Sequence, residues 1–328
     1  MAHGVSVSPL AFGGAPLGNL YTPVSEADAR SAIDEAVAHG IRYFDTAPFY
    51  GHGLSESRIG RALAGHPRAS FTVSTKVGRL ILDDDSRREF PDGFAVQGSR
   101  AVFDYSREGV QRSFESSLER LGVDYVDILY LHDIGRMTHG ERHPEVLQMA
   151  LDEALPAMAA LRDSGAVGAI GLGVNEQEVC LEVLPRFDLD CIMLAGRYTL
   201  LEQRNATGLM ERAQTRGIPI VVAGPYNSGL LAGAAGPGET YNYAPVDEST
   251  RERARSIYEE CAAEQIDGGA AALQFPLAHP AVACVVAGMR SAAEVSSAVK
   301  RMETRIPAAL WYRMQRRGLV DATAVLPR

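Results

Sequence analysis

Cysteine is scarce in this 328-residue chain. The four present, Cys180, Cys191, Cys261 and Cys284, show no C-x-x-C spacing. That argues against a disulfide framework and against the paired-thiolate motifs of structural zinc sites. Each sits among apolar or helical neighbours, the setting of a buried free thiol, and together they point to a reducing, cytoplasmic compartment. No apolar run approaches the ~18 residues of a membrane-spanning helix. No basic segment leads into an apolar run at the start, so no signal peptide is expected. Positive charge is in deficit as well: 32 Lys and Arg against 41 Asp and Glu give a net charge of −9. Nucleic acid and anionic membrane are therefore unsuited as partners. The arginines near the end (Arg301, Arg305, Arg313, Arg316 and Arg317) read as one solvated helix face. The first strand is not followed by G-x-G-x-x-G. The nearest match, Gly171-Leu-Gly173-Val-Asn-Glu176, comes late and has Glu where the third glycine belongs. That excludes the phosphate-binding fingerprint of a doubly wound nucleotide fold.

What is present is ordinary globular composition, 46% hydrophobic and 22% charged, patterned as short strands alternating with helices. Strands are read at Leu10–Gly13, Ile41–Asp45, Ser70–Val77, Val126–Asp133, Val167–Gly173, Cys191–Ala195, Ile218–Ala223 and Val282–Gly288. Helices are read at 25–39, 56–64, 107–121, 146–164, 176–184, 201–216 and 249–264, with a further helical turn from Gly268 and two terminal helices. Residues 78–106 read as a long structureless insertion. Eight strand–helix repeats predict a parallel eight-stranded (β/α)8 barrel, a single domain over residues 1–328 with long loops after the strands.

In such a barrel the chemistry sits at the carboxyl ends of the strands. The stretch Ile41-Arg-Tyr-Phe-Asp45-Thr-Ala-Pro-Phe-Tyr50-Gly51 ends a strand on an acid and carries a phenol five residues on. The other strand ends offer Lys76, His132 and Asn175. Each has a plain alternative: a strand-end charge reaching water, a hydrogen-bonded core histidine, a helix cap. Together they describe a proton donor and acceptor at one oxygen. A nearby ammonium favours phenolate and is expected to lower the Tyr50 pKa, with Asp45 as counter-charge to Lys76 and His132 orienting the substrate oxygen. No Ser or Cys nucleophile is paired with a base, and no metal triad has suitable spacing. Proton movement at an alcohol or carbonyl needs a hydride partner, normally a nicotinamide.

The chain resembles the aldo-keto reductase superfamily over nearly its whole length. The resemblance is carried by Tyr43-Phe-Asp-Thr-Ala-Pro-Phe-Tyr-Gly51, Ser55-Glu56 with Ile59-Gly-Arg-Ala-Leu63, Ser74-Thr-Lys-Val-Gly78, Ser117-Leu-Glu-Arg-Leu-Gly122, Tyr125-Val-Asp-Ile-Leu129 and the His132 strand. It implies a catalytic tetrad of Asp45, Tyr50, Lys76 and His132, with Tyr50 as general acid/base. It implies a nicotinamide cofactor across the barrel mouth, met by Asn175, Gly224, Tyr226, Gly229, Gly288, Arg290 and Glu294. Val174 and Ala195 stand where the family usually has Ser and Gln. NAD is expected over NADP, because Gly288 and Glu294 replace the usual cations near the 2′-phosphate.

Lys76-Val-Gly-Arg79, Val102-Phe-Asp-Tyr-Ser-Arg107, His132-Asp-Ile and Ala195-Gly-Arg-Tyr-Thr-Leu-Leu201 resemble an aldose 1-dehydrogenase branch. That branch includes the L-galactose, L-fucose and D-threo-aldose dehydrogenases and pyridoxal 4-dehydrogenase. The implied substrate is a sugar or pyridoxal-like hemiacetal. An NADPH-dependent carbonyl reductase and a non-catalytic nicotinamide-binding barrel are the other readings. The pocket is expected to be walled by the insertion, the loop after His132 and the segment with Trp311. His139 and His143 beside Glu141 read as loop residues, not metal ligands.

Overall fold

The structure, a computed structural model, describes residues 4–86, 89–90, 92–233, 236, 238–241 and 244–328. Eight strands close a parallel barrel in chain order: β1 (Leu10–Gly13), β2 (Tyr43–Asp45), β3 (Thr72–Val77), β6 (Val126–His132), β7 (Val167–Val174), β8 (Cys191–Ala195), β9 (Ile220–Ala223) and β12 (Val282–Gly288). Closure is the pairing of β12 with β1, from Leu10 on Val285 to Gly13 on Gly288. Strands buried on both faces read as near-continuous apolar runs, and most of these do; β3, Thr72–Val77, is the exception, with Ser74, Thr75 and Lys76 buried on hydrogen bonds.

Side chains alternate along each strand. Phe44, Val73, Leu129 and Leu131 point out and pack under the helices. Ala11, Tyr43, Ile128, Tyr130, Ala169, Cys191, Met193, Val221, Cys284 and Val286 fill the interior. Continuing that alternation to the carboxyl end of each strand gives the rim. Asp45, Lys76 and His132 follow Tyr43, Ser74 and Tyr130 on the inner face, and Asn175 falls just beyond β7. On the other side the same position is held by Ala195, Ala223, Gly288 and Gly13. Half the mouth is polar and half has almost no side chains.

The outer helices start where local chemistry predicts. Ser25, Ser106, Asp247 and Ser291 each accept a backbone N–H in the first turn of the helix they precede, the N-cap arrangement. All four cysteines are buried and unpaired. Among the described residues no helix is long and apolar enough to cross a membrane.

The insertion 78–106 departs from expectation. Its described residues form an antiparallel hairpin, β4 (Arg79–Asp84) on β5 (Gly98–Phe103), in register from Arg79–Phe103 to Asp84–Gly98. Residues 87, 88 and 91 of it lie outside the described part. The loop after His132 contains two short helices, Arg136–His139 and His143–Met149, and the second runs through a π-helical turn at Ala150–Ala154 into Leu155–Asp163. The helix read from Leu201 begins only at Thr207, after a single 3-10 turn. A second small hairpin pairs β10 (Thr240–Tyr241) with β11 (Ala244–Pro245).

Candidate active site

The rim brings Asp45, Lys76, His132 and Tyr50 into one site. Lys76 is buried, and its ammonium donates to both Asp45 carboxylate oxygens at 2.9 and 2.8 Å and to the Thr46 carbonyl at 2.8 Å. All three of its protons are thereby used. Asp45 Oδ1 also accepts the Ser74 hydroxyl at 2.6 Å, and Ser74 accepts Tyr43 at 2.9 Å. Burial raises the Asp45 carboxyl, opposed chiefly by Lys76.

Tyr50 lies on the turn after β2. Its ring centroid is 4.6 Å from Lys76 Nζ and 6.2 Å from the His132 ring, which stands edge-on at 88°. The expected lowering of its pKa is not found. Burial pushes the phenol well above its ordinary value, and the Asp45 and Asp133 carboxylates add to this. Burial is the largest influence, and Arg79 is the cation that opposes it. Burial holds His132 well below the ordinary imidazole value, with Arg79 and Lys76 acting in the same direction. His132 is therefore neutral and keeps one ring N–H to donate.

Two cavities meet at Tyr50. One, of about 350 Å³, lies against Phe49, Tyr50, Lys76, Phe94, His132 and Asp133. The insertion roofs it through Phe94, whose ring lies 6.1 Å from Tyr50 and 5.1 Å from Phe49. Trp311 does not reach this pocket. It is buried in the core, 6.2 Å from the Phe275 ring.

The other cavity, of about 600 Å³, runs from Asp45 and Tyr50 past Asn175, along the turn from Gly224 to Gly229, to Gly288, Arg290 and Glu294. Every cofactor-binding residue expected from sequence lines it. Its floor is the side-chain-poor half of the rim. A Cβ at Gly288 would crowd Pro16 at 3.1 Å and one at Gly13 would meet the Ala287 carbonyl at 3.0 Å. A groove with a small-residue floor and a polar end beside the Tyr50 phenol fits a dinucleotide.

At its far end Glu294 accepts the Arg290 backbone N–H at 2.9 Å and pairs with the Arg290 guanidinium at 3.2 Å. Arg301 is a correction to the solvated-face reading. It turns into the groove wall, donating to Asp267 at 2.7 Å and to the Ala232 carbonyl at 2.8 Å, with Tyr226 against it. Arg313 and Arg317 instead pair with Glu260.

His139 faces the Asp133 carbonyl and Tyr105, and His143 faces the Ile134 carbonyl and Glu182. Among the described residues no group of His, Cys, Asp and Glu forms a metal site. Arg79, Phe94 and Asp133 are site residues to which sequence reading assigned no role. The signal was available for two of them, since Asp133 directly follows the His132 strand and Arg79 lies two residues past the Lys76 strand.

Comparison with known proteins agrees with this geometry. The aldo/keto reductase family model matches residues 9–316. Pyridoxal 4-dehydrogenase of Microbacterium luteolum is 40% identical, over 97% of this chain and 96% of its own length. D-threo-aldose 1-dehydrogenase of a Pseudomonas species is 37% identical over 97% and 96%, and L-galactose dehydrogenase of Arabidopsis thaliana 31% over 90% and 84%. Among solved structures, the holo form of a Bacillus halodurans aldo-keto reductase superposes with a TM-score of 0.73 at 27% identity, covering 98% of this chain and 96% of that one. The chain belongs to the aldo/keto reductase family and is an oxidoreductase.

Proposed function

We propose that this aldo/keto reductase oxidises the ring hemiacetal carbon of an aldose of the L-fucose, L-galactose or D-threo-aldose type to a lactone, with NAD as hydride acceptor and Tyr50 as acid/base. The observation that carries the reading is that both cavities reach the Tyr50 phenol, beside a neutral imidazole and a charge-paired lysine. The relatives named for aldose and pyridoxal oxidation support the substrate class. An aldose ring and the internal hemiacetal of pyridoxal present the same group, a carbon bearing both a hydroxyl and a ring oxygen. Pyridoxal is the second reading, favoured by the 40% identical relative.

His132 donates a hydrogen bond to the reacting oxygen. The Tyr50 phenolate takes that oxygen's proton as the C–H bond breaks and the C=O bond forms. When bound, the oxidised nicotinamide supplies the acceptor for the departing hydride. Lys76 and Asp45 hold the floor of the site as one neutral pair. Because burial and two carboxylates raise the phenol, the base form grows with pH and oxidation should accelerate toward alkaline pH.

NAD is favoured over NADP because Gly288 offers no charge, while Glu294 occupies Arg290 and opposes a 2′-phosphate with like charge. The test is an assay of the purified protein with NAD and NADP on L-fucose, L-galactose, D-arabinose and pyridoxal, from neutral to alkaline pH. NADH formation on at least one, faster at alkaline pH, is expected. Reduction of simple aldehydes with NADPH, and no oxidation, would establish the reductase reading instead. Nicotinamide binding without turnover in either direction would make the barrel regulatory.

A further inference from the structure

Asp133 follows His132 directly and holds a left-handed backbone, with φ 53°, a conformation that Asp tolerates better than most residues. Its peptide is pinned on both sides. The N–H donates to the Gly173 carbonyl at 3.0 Å, and the carbonyl accepts the Tyr105 hydroxyl at 3.0 Å. The carboxylate is thereby fixed among three neighbours. Oδ2 accepts Arg79 Nη2 at 2.6 Å and stands 3.3 Å from His132 Nε2. Oδ1 accepts Asn175 Nδ2 at 3.1 Å. Arg79 is itself confined, its guanidinium 3.7 Å from the centroid of Phe49 and 4.5 Å from that of Phe103. Burial raises the Asp133 carboxyl, and Arg79 is the main influence opposing this.

A carboxylate only accepts, so Asn175 must turn its Nδ2 toward Asp133. Its Oδ1, at the opposite edge of the same planar amide, is then left as an acceptor on a residue that lines the groove. The neighbouring positions Val174 and Ala195 add no polar side chain of their own. The orientation of this one amide therefore matters more here than at a site with several polar contacts.

We propose that Asp133, clamped by Arg79, is a positioning residue that fixes the Asn175 amide to receive the nicotinamide carboxamide. One carboxylate then sets how the cofactor's reacting end is held. The inference rests on the groove being a nicotinamide site.

The experiment is a double-mutant cycle on NADH and NADPH affinity, read by fluorescence titration of the full chain. The variants are Asp133→Asn, Asn175→Ala and both together. Asn at 133 tolerates the left-handed backbone but presents either an oxygen or an N–H to its neighbour, so the amide orientation is no longer forced. Asp133→Asn should weaken dinucleotide binding ~10-fold in the wild-type background and hardly at all in Asn175→Ala, the non-additivity of contacting residues. Arg79→Gln, which removes the clamp and leaves Asp133, should follow the same pattern and serves if Asp133→Asn does not fold. Equal weakening in both backgrounds, or none in either, overturns the proposal while leaving the cofactor groove intact. Failure of the wild type to bind either dinucleotide would overturn the nicotinamide reading, and this inference with it.

Discussion

Two lysines occur in the chain, Lys76 and Lys300, beside thirty arginines. That one of them is buried in the barrel mouth is chemically reasonable. A compact ammonium makes three bonds within one small polar pocket, which a planar guanidinium of fixed geometry does not. Lys76→Met would leave Asp45 as an uncompensated buried charge, and the expected loss is about 3–5 kcal/mol of folding stability. Urea titration checks this. A loss under about 1 kcal/mol would mean the pair is not stabilising the fold. At the groove's far end, Glu294→Arg removes a like charge from the 2′-phosphate site and frees Arg290. The ratio of kcat/KM for NAD over NADP should fall by ~10-fold or more. An unchanged ratio would show that cofactor choice is set elsewhere. The gathering of Asp45, Lys76 and His132 at one rim was legible in sequence because polar residues near strand ends stand out. The pKa direction of Tyr50 was not, because it depends on how deeply the phenol is buried and on the Asp45 and Asp133 carboxylates near it.

The element that places Tyr50 is a turn pressed against the short helical segment Ala15–Gly18. A Cβ at Gly18 would lie 2.4 Å from the Tyr50 backbone carbon and 2.5 Å from Gly51 N. That is too close for any side chain. Gly18→Ala must push the turn outward, and a displacement of about 1 Å at a catalytic group costs ~100-fold in rate. The expected outcome is a large fall in kcat with dinucleotide affinity reduced far less, measured by steady-state kinetics and titration. Equal loss of both would point to general disruption. The elements that sequence reading missed have a common cause. The hairpin pairs 79–84 with 98–103 across a long connection, and its alternation is interrupted by consecutive acids at Asp83, Asp84 and Asp85. Its stability comes from docking: Arg79 lies between Phe49 and Phe103, and Ser113 donates to the Arg79 carbonyl at 2.9 Å. Such tertiary contacts leave no periodic signal. Most barrel strands were legible because burial on both faces makes them apolar runs, as in Val126–His132 and Val282–Gly288.

For the whole molecule, the barrel mouth is divided. Asp45, Lys76, His132 and Asn175 end four consecutive strands of the ring, and Ala195, Ala223, Gly288 and Gly13 end the other four. The small half leaves the larger cavity open, and the polar half lies at one end of it. One pH dependence follows. Burial holds His132 well below the ordinary imidazole value and Tyr50 well above the ordinary phenol value. The oxidation rate should therefore climb with pH up to about 10 without a plateau, and a flat profile in stopped-flow kinetics would contradict the assignment. The central claim is that Tyr50 moves the proton. It is tested most directly by the single-turnover rate of dinucleotide reduction in Tyr50→Phe against wild type, with NADH affinity measured in parallel. The account predicts a fall of ~100-fold or more with affinity within about a factor of three. Turnover close to wild type would contradict it.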